Sequence, residues 1–282
     1  MIKQLFSRFA AEDGPHIAIA PEAITVVGPF TITNSHILGW VGAILIGWML
    51  LYGAKRVKLK STGGITQFVE LGVQFVIYLL TNALNSRKKA VQYAPFFAAI
   101  FFFVLFSNWL GFAPGVGAAI ATGDVPLFRA FTADLNGTIA LALTGVILVQ
   151  VIAIRELGGV NHLKHYFGGN FKNPINIFVG LLEMFGELTR IASLSLRLFF
   201  NVVIGEILIE IFAYLGQLGS PITVLPFIAF ELLVGFIQAY IFTMLCSTYL
   251  GISTAHAFHD EEHHTTEKQK TAPIAVQEGA RV

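Results

Sequence analysis

The chain has 282 residues, 55% of them hydrophobic and only 12% charged, with a formal net charge of +1. Its mean hydropathy of +0.71 excludes an ordinary soluble domain, and the near-zero charge excludes the basic footprint of a nucleic-acid binder. No G-x-x-x-x-G-K-[ST] loop occurs, so nucleotide chemistry belongs to another chain.

Residues 1–36 read as a polar arm with little regular structure, lying outside the membrane. Lys3 and Arg8 precede no apolar core of adequate length, so the arm is not a signal peptide. Ile37 to Ala54 is a charge-free run with Trp40, Trp48 and Tyr52, long enough for a first span. Lys55, Arg56, Lys58 and Lys60 follow and mark the cytoplasmic side. From Ile65 to Asn85 the polar residues Gln67, Glu70, Gln74, Tyr78, Thr81 and Asn85 recur at helical steps, and Arg87-Lys88-Lys89 closes the segment. A helix with basic clusters at both ends and one polar stripe is expected to lie along the cytoplasmic interface.

Ala94 to Ala113, broken only by Asn108, predicts the second span, with Pro95 tolerated near its start. A Gly- and Ala-rich external loop follows to Asn136. Gly137 to Ile154, carrying Gln150, predicts the third span, and a polar loop leads to Asn173. The last two segments, Asn173–Gly216 and about Pro221–Thr254, are too long for perpendicular spans. The second contains Glu231, Gln238 and the single cysteine, Cys246, which reads as a small core residue. Residues 256–282 form a polar tail that reads as disordered and cytoplasmic. Its His256, His259, His263 and His264 have ligand-like spacing, but the adjacent acids Asp260 to Glu262 favour a solvated tail over a metal site. No metal and no cofactor is expected.

The sum is an all-α polytopic membrane protein. Its membrane domain over 37–255 holds five transmembrane helices and one interfacial amphipathic helix, the last two spans long and strongly tilted. Thirteen of the eighteen Lys and Arg residues fall in the segments assigned to the cytoplasm. That bias predicts an external N-terminus and a cytoplasmic C-terminus.

The segment 173–216 carries the chemistry. A helix of that length measures roughly 60 Å, against a hydrocarbon core of about 30 Å, and Arg197 falls near its midpoint. Glu183, Glu187, Arg190, Leu194, Arg197 and Asn201 step by four, three, four, three and four, one stripe on one face. Glu206 lies about half a turn away from that stripe, with Glu210 one turn beyond it. Two offset polar faces around a central cation fit two half-paths. Internal pairing, as of Glu187 with Arg190, is the structural alternative. For Arg197 no acidic partner lies within one turn on its own helix, and a charge at that depth is a functional-site hypothesis.

Ser193-Leu194-Ser195-Leu196-Arg197-Leu198-Phe199-Phe200-Asn201, then Gly205-Glu206, resembles the signature of subunit a of the F-type ATP synthase. The resemblance extends to Glu231 and Gln238 downstream, and to Asn108-Trp109 and Asp134-Leu135-Asn136 upstream, covering roughly Gly39 to His256. Phe200 stands where many relatives carry glycine. Ile191 stands where many carry proline, implying a less kinked helix here. The resemblance implies a multi-pass protein of the bacterial plasma (inner) membrane, a non-catalytic stator subunit that conducts protons. Its partners would be the c-ring proteolipids, the peripheral-stalk b subunits and the soluble nucleotide-binding head, with no nucleic acid.

Arg197 would separate two half-channels. Glu206 and Glu231 would line the outer one and Glu183 the inner one, with Gln238 and Asn201 holding the arginine. Glu210, Arg190 and Asn108 are possible supporting residues. A stand-alone ion channel or secondary transporter is the alternative, but it predicts inverted repeats and paired broken helices, and neither is visible. A purely structural anchor leaves Arg197 unexplained.

Overall fold

The computed structural model describes residues 23–27, 30–56, 64–112, 128–157, 174–216 and 219–270. Strand β1 (Ala23–Val27) pairs antiparallel with β2 (Phe30–Thr33), Val27 opposite Phe30 and Ala23 opposite Thr33. This hairpin falls inside the segment expected to be irregular. Ile24, Thr25, Val26, Val27, Thr31, Ile32 and Thr33 are β-branched, and that local preference prevailed.

Helix α1 (Asn34–Arg56) follows directly, then α2 (Ile65–Leu84), α3 (Arg87–Gly111), a 3-10 turn at Phe131–Ala133, α4 (Leu135–Leu157), α5 (Pro174–Gly216) and α6 (Ser220–Lys270). All six helices contain a stretch long and apolar enough to cross a membrane. Large apolar side chains point outward along them, among them Trp40, Ile44, Phe185, Ile222 and Leu225. In a multi-pass membrane protein that surface meets lipid or partners rather than water. Helix α6 continues to Lys270, although the sequence placed a disordered tail from His256. No proline or glycine interrupts His256–Lys270, and adding residues to an existing helix avoids the nucleation cost. The side chains of the four tail histidines lie outside the described residues, as do residues 271–282.

Helix α2 sorts its stripe as expected. Gln67, Gln74, Tyr78 and Asn85 are exposed, whereas Val69, Val76, Leu79 and Leu80 are buried. It ends where Asn85 adopts a left-handed conformation (φ 51°), which asparagine tolerates better than most residues. The chain then reverses into α3, and α2 packs antiparallel along it. Phe68 meets Phe102 and Phe106, and Phe75 meets Phe101. A Cβ at Gly72 would overlap the Phe102 ring.

Helices α5 and α6 form a long antiparallel pair that positions everything below. Phe212 stacks on Phe227 with centroids 3.9 Å apart, Gly205 abuts Glu231, and Arg190 lies over Tyr249. Interpolating along this register sets Gln238 level with Phe199 to Asn201. Helix α4 crosses the pair through Thr138 and Ser195 (Oγ to Oγ 3.2 Å) and through Gln150 and Glu187. The core between the helices is dominated by Phe97, Phe102, Phe242, Leu194, Leu198 and Leu250.

Candidate functional site

Arg197 is exposed on α5, while Leu194 and Leu198 on the adjacent face are 1% and 0% exposed. Around it Ser193, Leu196, Phe200 and Ile204 are also exposed. Among the described residues it has no ion pair and no hydrogen bond. The expected support from Gln238 and Asn201 is therefore not formed as a direct contact. The reason is directional: Gln238 is buried at 5% exposure between the helices, whereas Arg197 points away from them. A cation presented on an apolar outer face has its counter-charge elsewhere.

Toward the N-terminus of α6 the two helices enclose carboxyl groups. Glu231 is 6% exposed, its carboxyl lies against Gly205, and Oε2 is buried with no hydrogen-bond partner among the described residues. A Cβ at Gly205 would overlap that carboxyl. Glycine is thus demanded here by close approach rather than by backbone conformation. One turn away, Asn201 buries an unpartnered Nδ2. Unsatisfied buried polar atoms are rare and call for an explanation. Here a donor and an acceptor occur together on the α5–α6 seam.

Glu206, on the neighbouring face of α5, has a partner the sequence did not reveal. Arg129 donates to its Oε2 through Nε and Nη2, both at 3.3 Å, with side-chain exposures of 10% and 22% for arginine and glutamate. Arg129 sits in the loop before α4, 77 residues from Glu206, so helical spacing carried no sign of it. Glu210 is exposed.

Helix α3 fastens this region. Trp109 donates through Nε1 to the Leu232 carbonyl at 3.0 Å, and Asn108 donates to the Gly235 carbonyl at 3.4 Å. The Asn108 Oδ1 accepts from Thr132 at 2.9 Å. Asp134 accepts from Ser35 at 3.0 Å and from the Asn136 backbone N–H at 2.9 Å, capping α4 and tying it to α1. Asn108 thus holds α6 in place here.

On the other side of Arg197 a second polar group joins three helices. Glu187 accepts from Gln150 of α4 and from Tyr249 of α6. Arg190, read as its partner, instead lies over the Tyr249 ring, 3.6 Å from the centroid. The Glu183 side chain lies outside the described residues.

The family model for the ATP synthase A chain matches residues 36–251. The chain is 32% identical over 245 residues to the ATP synthase subunit a of Myxococcus xanthus, covering 83% of this chain and 76% of that one. Against the subunit of Anaeromyxobacter dehalogenans strain 2CP-C, identity is 31%, with 88% of this chain and 64% of the relative covered. Against that of Gloeobacter violaceus it is 30%, with 90% and 94% covered. The chain spans less than two thirds of the Anaeromyxobacter relative's length and nearly all of the Gloeobacter one. Glu206, Gly205 and Glu231, the seam residue Asn201 and the outward Arg197 all fall within the matched segment, and the chain belongs to the ATP synthase A chain family.

Proposed function

We propose that the chain is the proton-conducting stator subunit of a rotary ATP synthase, not an enzyme by itself, and that Arg197 divides its proton path into two halves. The observation that carries this is an arginine at mid-helix, turned outward and unpartnered among the described residues, with the buried carboxyl of Glu231 to one side of it. Its counter-charge is then a carboxylate on a moving neighbour, the ring of small proteolipid subunits. Peripheral-stalk subunits and the soluble nucleotide-binding head complete the machine.

Guanidinium does not release its proton in proteins, so Arg197 cannot relay one. It stabilises an ionised carboxylate that passes opposite, by about 4 kcal/mol at 4 Å for an effective dielectric of 20. A ring carboxyl arriving there gives its proton to one half-path. Leaving the arginine for lipid, it has to be neutral again and takes a proton from the other half-path. A fixed cation between the halves blocks direct leakage and couples each transfer to ring movement. Glu206, Glu231, Asn201 and Gln238 belong to the outer half in this reading, and Glu183 to the inner one.

The topology we infer has five crossings, α2 at the cytoplasmic interface, an external N-terminus and a cytoplasmic C-terminus in a bacterial plasma membrane. The distribution of Lys and Arg supports it, as do the exposed polar stripe of α2 and its place as the least apolar of the six helices. Cysteines placed at Thr66 and Asn85 in a Cys246-free background should both label from the cytoplasmic side. Labelling from opposite sides makes α2 a sixth crossing, with Phe68 as deep as Phe106.

The function itself is tested in vesicles holding the complete complex. Arg197→Ala should abolish proton-driven ATP synthesis and raise passive proton uptake. Synthesis that survives the change excludes Arg197 as the divider.

A further inference from the structure

Four side chains from three helices meet on the cytoplasmic flank of Arg197, and the outer-path acids leave them without a role. Glu187 lies ten residues before Arg197, a rise of about 15 Å along α5, on the stripe that also carries Arg190 and Arg197. Its carboxylate accepts from Gln150 and Tyr249, and Gln150 Nε2 stands 2.9 Å from the Tyr249 hydroxyl. Arg190 covers the Tyr249 ring at 3.6 Å, and its Nη1 is buried without a hydrogen-bond partner among the described residues. All four residues are half-buried. The latch at Asp134, by contrast, is 2% exposed and closed by two donors.

From this geometry we infer that Glu187 is a proton-exchanging carboxyl of the cytoplasmic half-path, held ready by Tyr249, Gln150 and Arg190. The inference rests on the two-half-path reading above and adds a residue to its inner half. Gln150 and Tyr249 fix this carboxyl at the meeting point of three helices, on the side where protons leave the ring. An incoming proton adds to a carboxylate oxygen, forms an O–H bond and passes from there to water at the cytoplasmic face. Glu187 returns to its starting state, so the step is balanced. Half-burial leaves the Glu187 carboxyl in reach of water. The charged and titratable groups around it include Arg190 on α5 and Tyr249 on α6, with Cys246 of α6 beside Arg190, and α4 contributes the neutral Gln150.

Glu187→Gln keeps an oxygen to accept from Tyr249 and Gln150 but cannot ionise. In the complete complex reconstituted in vesicles, it should slow proton-driven synthesis about tenfold. That lies below the usual gain from a positioned acid or base because water bypasses the site. The dependence of rate on cytoplasmic pH should flatten as well, and Glu187→Asp should restore part of it. Tyr249→Phe keeps the ring under Arg190 but removes the hydroxyl donor. It should slow synthesis as well, but by less than Glu187→Gln, because the carboxyl remains and loses only one of the donors that hold it.

A wild-type rate and pH profile for Glu187→Gln overturns the inference. So does a loss equal at every pH that Glu187→Asp does not relieve, since packing alone behaves that way. If Glu187→Gln fails to assemble, a wild-type rate for Tyr249→Phe overturns it instead. Arg197→Ala measured in parallel separates the two readings. Synthesis surviving in Arg197→Ala brings down the half-path model, whereas its loss beside a silent Glu187→Gln brings down only the role of Glu187.

Discussion

On the two sides of Arg197, helix α5 meets acids in opposite states of supply. Toward the C-terminal end of α5, Glu231 buries an oxygen with no donor among the described residues and rests on a glycine, and Glu206 relies on one loop arginine. Toward its N-terminal end, Glu187 is half-exposed and accepts from two neighbours, with Arg190 close by. The difference teaches that one stripe of charges on a helix has no uniform meaning. What each acid does is set by what the neighbouring helices bring to it. The proposed proton path thus has a different setting on each side of Arg197, an enclosed carboxyl at Glu231 and a half-exposed one at Glu187.

The largest expected effect is at the divider. Arg197→Lys keeps the charge but should still abolish proton-driven synthesis. A lysine is a compact, strongly hydrated cation without the planar fork, and it loses its proton more readily in an apolar setting. Arg190→Lys should cost only part of the rate, because what it loses is contact with one ring. Synthesis assays on both variants check this, and a complex that works with lysine at 197 removes the distinction between the two arginines.

On the outer side, Glu206→Gln and Glu231→Gln should each slow proton flux. The double variant should lose less than the product of the two factors, as residues on one path do. Strictly multiplicative losses would put them on separate routes. Arg129→Ala leaves Glu206 without its guanidinium. Breaking a fully buried pair from one side costs about 3–5 kcal/mol, and the partial exposure here sets the expectation at the low end. Glu206→Gln in the same chain should recover most of that loss in thermal unfolding of the complex, but not the flux.

How much of this the sequence disclosed depended on distance along the chain. The extent of α5, the place of Arg197 in it and the isolated acids Glu206 and Glu231 were all visible, because each is a matter of local composition and helical spacing. Arg129 was passed over as a loop charge, since its partner is 77 residues away and no periodicity links the two. The pairing of Arg190 with Glu187, weighed as the structural alternative, rested on the same local spacing. Spacing offered Glu187 three residues back, whereas the antiparallel register of α6 delivers Tyr249. Asn201 and Gln238 were expected on Arg197, but being level with it does not make them face it. The β1–β2 hairpin and the helical continuation to Lys270 were missed because polar segments were equated with irregular ones.

The smallest expected effect concerns the support of the outer side. The carbonyls of Leu232 and Gly235 follow Glu231 by one and four residues, and Trp109 and Asn108 hold them from α3. If undersupply at Glu231 is built in, α3 has to fix the backbone while sending no donor to the carboxyl. Trp109→Phe removes the Nε1–H bond and keeps most of the ring. It should lower stability by about 1 kcal/mol, the net worth of one hydrogen bond, with proton flux nearly unchanged. Asn108→Leu also takes the acceptor from Thr132, which is 0% exposed. An abandoned buried donor costs about 1–3 kcal/mol, so this variant should melt at a lower temperature than Trp109→Phe. Thermal unfolding of the two complexes gives the order, and flux gives the contrast. Were Trp109→Phe to slow flux as much as Glu231→Gln, the tryptophan would be acting on the carboxyl itself, and the separation between scaffold and path on the outer side would be lost.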